Sequence, residues 1–428
     1  MEKTRKSGKF WLALVIFCLT GQVAWVVENM YFNVFIYKMF NASASAISAM
    51  VAASSVAATV TTLLIGALSD KIGKRKIFIC GGYIAWGISI WSFSLLRLDV
   101  LENLFPHVAS AASLGISLTI ILDCVMTFFG SSANDACFNA WLTDISDHSN
   151  RGAIEGVNAM MPLVAILVVF GGFMGLDQNL AESWVTIFNV IGIAVILVGV
   201  SGIFLIKDAS VKTEENQNYF RNIFYGFRPD AVRSNPMLYF TLVALAVFNI
   251  SIQTFMPYLI LYFTETLKLA NYVLIFAPAI IVAAVFTGFY GPVYDKKGFK
   301  SAVIPTVLLL LVGYVLLYFF RNTALVFVGT LIMMCGYLGT GAMIGAKVRT
   351  HTPANKSGMF QGLRIFAQVL IPGVIGPYIG SFVLRNADTI VNSDGTVSFI
   401  PNANIFLAAF VTGLLIWLAM LPLFKKDR

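Results

Sequence analysis

The feature that most constrains this chain is a repeating one: long apolar runs, each closed by a short break that holds most of the charge. About 20 apolar residues are what one helix needs to cross the hydrocarbon core of a bilayer. Backbone polar groups find no water there, so such runs are read as helices that satisfy their own hydrogen bonds. They fall near residues 10–36, 44–69, 77–96, 109–141, 153–175, 184–206, 237–264, 270–292, 302–320, 323–346, 358–384 and 402–424. The expected fold is an all-α membrane protein with twelve transmembrane helices. Composition agrees, since only 12% of residues are charged and 58% are hydrophobic, against about a quarter charged in an average soluble domain.

The net charge of +8 does not point to nucleic acid, because the basic residues are scattered among separate breaks and form no contiguous face. Their distribution signals sidedness instead. With the N-terminus inside, 23 of the 29 basic residues fall on the cytoplasmic side. Only Lys38, Arg97, Lys268, Arg321 and Arg385 fall outside, and Arg364 lies within a span. This positive-inside bias predicts a multi-pass protein of the cell (inner or plasma) membrane with both termini cytoplasmic. The first run, Phe10 to Phe35, is too long for a signal-peptide core and is expected to remain as the first span. Cys18, Cys80, Cys124, Cys137 and Cys335 all lie in expected spans, away from any external disulfide.

The chain also repeats itself. Gly66-Ala-Leu-Ser-Asp70-Lys-Ile-Gly73-Lys74-Arg75-Lys76, after the second span, is echoed by Gly291-Pro-Val-Tyr-Asp295-Lys-Lys-Gly298-Phe-Lys300 after the eighth. A second echo joins Arg151-Gly152-Ala-Ile-Glu155-Gly156 to Ser357-Gly358-Met-Phe-Gln361-Gly362. Two six-helix halves follow, at 1–206 and 237–428, with a cytoplasmic linker at 207–236. Parallel halves of this kind expose a central site alternately to either face, as secondary transporters do.

The Gly66–Lys76 loop resembles the signature Gly-x-Leu-x-Asp-Arg-x-Gly-Arg-Lys/Arg of the major facilitator superfamily, with Lys71 in place of the usual Arg. The resemblance runs from about residue 10 to 424. Within that superfamily, Asp135-Ala-Cys-Phe-Asn-Ala-Trp141 and the following Arg151-Gly break are similar to the glycoside-pentoside-hexuronide:cation symporters, the melibiose carrier group. That similarity implies a role for Asp135 at the sugar and cation sites. The group's sodium carriers place two aspartates one turn apart in span two; here Ala58 to Thr62 carries no carboxylate, a departure from that sodium site.

In the signature loop, Gly73 suits a tight turn. Asp70, with Lys74 and Arg75, suits a charge latch between helix ends, or the basic residues simply hold topology against anionic headgroups. Asp295 with Gly298 repeats the arrangement, and Arg151 closes the break after span four.

Charges inside a span are costly, at least about 2.5 kcal/mol near mid-depth, and they face the protein interior or a wet path. Glu28 shares a helical face with Gln22, Trp25, Asn29 and Phe32, a mixture of hydrogen-bonding groups and flat rings that suits a sugar; the alternative is a cap at the outer interface. Asp135 sits among Ser131, Ser132, Asn134, Asn139 and Trp141, as a substrate or cation residue or as a structural partner. Asp123, a candidate proton site, is twelve residues from Asp135, about 120° and 18 Å away on a regular helix. Arg364, with Gln361 and Gln368 on its face, pairs with Asp135 across the halves or snorkels to the headgroups. In span seven Pro257 breaks the helix, leaving Gln253 and Tyr258 to face the substrate or to pack.

These residues favour a cation-coupled symporter of a sugar or small glycoside, with H+ or Na+ as coupling ion and no other cofactor. The alternative cargo is a lysolipid or other amphiphile, or a drug or metabolite for export. The expected partners are the small-molecule substrate and membrane lipids, the chain acting as a monomer without nucleic acid. His107, His148 and His351 lie in or beside loops, and HExxH, P-loop and nucleophile-elbow patterns are lacking, so an enzyme is not expected.

Overall fold

Ser7 starts the first helix by accepting a hydrogen bond from the Phe10 backbone N–H (3.3 Å), and Asn41 ends it in the left-handed region at φ 52°. The computed structural model describes residues 7–146, 151–207, 225–269, 271–352, 357–392 and 396–426. After α1 (Gly8–Phe40) come α2 (Ala44–Ile72), α3 (Arg75–Leu95), α4 (Ala111–Ile145), α5 (Arg151–Phe173) and α6 (Ala181–Leu205). Then α7 covers Pro236–Thr266. The stretch Val273–Phe319 turns at Gly298 (φ 80°), which divides it into α8 and α9. The chain ends with α10 (Thr323–His351), α11 (Gly362–Val383) and α12 (Asn404–Lys426).

Eleven described helices are long and apolar enough to cross a bilayer. With the turn at Gly298 counted, they supply the twelve expected spans. Gly73 (φ 70°) and Gly298 occupy matching places in the two repeats, and both adopt a backbone conformation that a side chain would strain. The repeat in the sequence is therefore a repeat in backbone geometry. The cysteines are all free.

By packing, the chain divides into two compact units, Met1–Ala42 with Val56–Phe220 and Ser43–Ser55 with Arg221–Arg428. Helix α2 thus begins in the second unit and finishes in the first. The first unit has an aromatic core in which Phe35 meets Trp184 and Phe188 edge-on, at 5.4 and 5.0 Å between centroids. Helices α3 and α6 cross closely at Gly87 and Gly192; a Cβ on Gly87 would lie 2.6 Å from the Gly192 carbonyl oxygen. In the second unit Phe255 packs on Tyr314 and Phe406. Many large side chains remain outside, Phe289 83% and Phe204 78% exposed, which suits a surface solvated by lipid and not by water.

One element was not expected from the sequence. Between α11 and α12, β1 (Thr389–Val391) pairs antiparallel with β2 (Val397–Phe399), with Ile390 opposite Ser398. Asn392 donates to Thr396 Oγ1 (2.9 Å) and Ser398 Oγ (2.8 Å). The signal was present in the β-branched residues flanking Asp394-Gly395, a strong hairpin dipeptide.

Gly87→Val is expected to destabilise the protein by about 1–3 kcal/mol through overpacking of α3 on α6. Gly172→Val, at a position with open space around it, is expected to be tolerated. Thermal unfolding in detergent checks the contrast; equal midpoints for the two variants would refute the close-crossing account.

Candidate functional site

Helices α1 and α4 depart from α geometry at Glu28 and at Asp135. Val27–Tyr31 in α1 and Ser131–Phe138 in α4 are π-helical. Such widened turns are uncommon and concentrate at functional sites. Glu28 lies in the first and Asp135 in the second.

Glu28 is 8% exposed. Its Oε1 accepts a hydrogen bond from Thr127 Oγ1 of α4 (2.9 Å), while its Oε2 is buried without a donor among the described residues. Asp123, 1% exposed and one turn before Thr127, stands close enough for its charge to act on Glu28, and Asp135 acts on it more weakly. No lysine or arginine among the described residues contributes to that environment. Glu28, Asp123 and Asp135 therefore form one acidic group across α1 and α4. Sequence periodicity had separated Asp123 from Asp135, and the link between them is a residue of another helix.

Asp135 accepts hydrogen bonds from Ser131 Oγ (3.1 Å) and Asn134 Nδ2 (3.1 Å), and Trp25 of α1 stands beside the same carboxylate. Asn139 donates to the carbonyls of Asn134 and Asp135 (3.1 and 3.2 Å), meeting acceptors that the wide turn leaves open. Behind them the Tyr83 hydroxyl lies 2.9 Å from both Asn134 Oδ1 and the Phe17 carbonyl oxygen. Trp25 packs on Trp86 with centroids 4.9 Å apart. Helix α1 comes this close because residue 21 is glycine: a Cβ there would sit 2.5 Å from Asn134 Oδ1. Tyr83, Trp86 and Gly21 escaped the sequence reading because nothing within their own helices marks them as neighbours of Asp135.

The remaining candidates have partners within their own units. Asn29 is exposed on α1 and donates to the Trp25 carbonyl (2.8 Å). In the second unit Arg364 Nε donates to Gln368 Oε1 (3.2 Å) on α11. Helix α7 breaks at Pro257 as expected, through a tight turn at Met256–Tyr258 followed by a π-turn at Tyr262–Thr266. Gln253 is half-buried, with its backbone against Gly376. Tyr258 is fully buried, its hydroxyl beside the Ala44 and Pro377 carbonyl oxygens (3.0 and 3.1 Å), so it packs the second unit and leaves its oxygen little freedom for a ligand.

The charged loop is built in detail only once. Arg75 is buried at the start of α3, where it pairs with Asp70, donates from Nε to Asp144 Oδ2 of α4 (3.1 Å) and from Nη1 to Ser69 Oγ (2.6 Å). Lys74 is exposed before it. Asp144, missing from the sequence reading, lies seventeen residues beyond Thr127 on the same helix. In the second repeat the equivalent positions hold Tyr294, Lys300 and Thr350. Tyr294 and Thr350 approach to 3.4 Å, Lys300 lies over the Phe424 ring, and Asp295 is exposed with no ion pair among the described residues. Arg151 opens α5; its side chain lies outside the described residues.

Comparison with known proteins agrees with this architecture. The profile of the Major Facilitator Superfamily matches residues 10–377. The nucleoside transporter NupG, in a mutant form, is similar in structure with a TM-score of 0.72 at 12% identity, over 96% of this chain and 99% of that one. A bacterial homologue of the human lysosomal transporter Spinster, inward-facing and occupied, gives 0.69 at 15% identity over 97% and 96%. The xylose transporter XylE from E. coli gives 0.69 at 14% identity over 98% and 100%. At these identities the likeness is one of fold. No protein of curated function matches the sequence.

Arg75→Ala is expected to lower stability by about 3 kcal/mol, because it strands two carboxylates around a buried position. Arg75→Lys restores only part, since an ammonium lacks the guanidinium fork. Asp295→Asn should change stability by less than about 0.5 kcal/mol. Unfolding midpoints of the three variants test the asymmetry; equal losses in Arg75→Ala and Asp295→Asn would contradict it.

Proposed function

Because this chain belongs to the Major Facilitator Superfamily, we propose that it is a secondary transporter working by alternating access, a proton-coupled symporter of a sugar or small glycoside. The observation that carries the reading is the acidic group Glu28, Asp123 and Asp135, shared by α1 and α4, with Glu28 and Asp135 on widened turns and Asp123 on regular helix. Three carboxylates this close repel one another when all are ionised. A proton held between Glu28 and Asp123 relieves that repulsion and leaves Asp135 to accept hydrogen bonds from solute hydroxyls. Releasing the proton on one side restores the repulsion and weakens the solute site, which is the coupling a symporter needs.

Trp25 offers a flat ring beside Asp135, and Asn29 and Gln22 add amide groups on the same helix. Arg364 and Gln368 on α11 and Gln253 on α7 are further candidates for solute contacts. The similarity of Asp135 to Trp141 to the melibiose carrier group supports a glycoside cargo, and a D-xylose–proton symporter is among the proteins of like fold. The loop at Asp70, Gly73, Lys74 and Arg75 acts as the conformational latch, with Asp144 as its second carboxylate. Its basic residues support a cytoplasmic placement, with both termini on that side.

The test is uptake into proteoliposomes under separately imposed proton and sodium gradients, with labelled sugars, a nucleoside and a lysolipid as solutes. A sugar is expected to accumulate when the compartment it leaves is made acidic. Glu28→Gln should retain solute exchange at equal concentrations while accumulation collapses. Asp135→Asn should weaken solute affinity about tenfold to a hundredfold, the value of a hydrogen bond to a charged group. Accumulation driven by sodium alone, or of the lysolipid alone, would overturn the reading.

A further inference from the structure

A groove of about 780 Å³ runs between α11 and α12 in the second unit. Ile379, Phe382 and Val383 form one wall and Leu407, Ala408 and Val411 the other, spaced at three and four residues so that each set is one helical face. The opposite faces of both helices are already used. On α11 a Cβ at Gly380 would lie 2.3 Å from the Thr254 carbonyl oxygen. On α12 the Ala409 carbonyl accepts from Ser251 (2.7 Å), and Phe406 packs on Phe255. The groove therefore points away from the interior of its unit, with Phe382 73% and Val411 55% exposed. In a membrane these side chains meet acyl chains.

One end of the groove is chemically different. Arg385, Asn386 and Asn404 gather there, at the ends of the two spans. Arg385 is exposed and makes no ion pair among the described residues. Deeper in, the hydroxyl of Thr412 is committed to the Ala408 and Ala409 carbonyls (2.9 and 3.0 Å), so the walls present almost no free polar group. Apolar walls below an uncompensated guanidinium and two amides match an amphiphile with an anionic head.

We propose that this groove binds an anionic phospholipid, its acyl chain between α11 and α12 and its phosphate at Arg385. The site is remote in sequence and chemistry from the acidic group of α1 and α4, and it does not depend on what the protein carries. A zwitterionic lipid fits the walls equally but leaves the positive charge of Arg385 unbalanced, so the preference resides in the headgroup.

The experiment counts lipids bound to the purified full chain by native mass spectrometry after incubation with equal amounts of phosphatidylglycerol and phosphatidylcholine. Phosphatidylglycerol is expected to be retained about fivefold over phosphatidylcholine, the effect of one cation near anionic headgroups. Arg385→Gln should bring that ratio to about one, and Arg385→Lys should keep most of it. Ala408→Trp, which fills the groove, should reduce retention of both lipids. Lys268→Gln removes another exposed cation at the same end of the second unit and should leave the ratio unchanged. No preference in the unaltered chain, or a preference that survives Arg385→Gln, overturns the proposal. Equal loss in Lys268→Gln also overturns it, because the attraction would then be diffuse. Should Ala408→Trp fail to fold on gel filtration, the Arg385 series decides.

Discussion

Hydrocarbon offers no hydrogen bonds, and the rest of this structure depends on that. Each polar group carried into the membrane must find its partner within the chain. Most do so trivially, as when Ser55, Thr119 and Thr287 return their hydroxyls to carbonyls of their own helices. The acidic residues cannot, because a carboxylate needs donors and a helix interior has spent its own. Glu28 takes a hydroxyl from α4, and Asp135 takes a hydroxyl and an amide from its own widened turn. The need for donors thus draws α1 and α4 together where these acids are buried.

The same constraint explains why the two repeats diverge. Both keep the glycine with positive φ, since a sharp reversal between two spans requires it whatever the side chains do. Only the first surrounds a buried arginine with two carboxylates and a hydroxyl. Burying Arg75 calls for that set; where Thr350 stands in place of Asp144, Lys300 is exposed and lies over the Phe424 ring. The backbone of the repeat has been kept and its electrostatics confined to one copy.

Much of the fold was legible because long apolar runs admit few structures. The twelve spans, the turn at Gly298 and the break at Pro257 all follow from residue types whose effect is local. Glu28, Asp123 and Asp135 were also legible singly, as charges where none is cheap. Their grouping was not, since periodicity compares residues within a helix and is blind to which helix lies beside it. Tyr83, Trp86 and Asp144 were invisible for that reason. The hairpin between α11 and α12 was missed differently: its short β-branched strands flank a turn signal that a search for long helices passes over.

Twelve residues of regular helix would turn Asp135 about 120° away from Asp123. That angle holds only while each residue advances by the α-helical step. From Ser131 onward the chain follows wider turns bonded five residues apart, in which each residue advances less. Asp135 is thereby swung back toward the side on which Asp123 and Thr127 meet α1. The wide turn of α4 therefore reduces the angle between Asp135 and Asp123, and it frees backbone carbonyls that Asn139 then covers. An α4 that relaxed to regular α geometry here would keep Asp123 and Thr127 against Glu28 and turn Asp135 away. This makes the widened turns a natural place for a change in occupancy to be converted into a change in helix register.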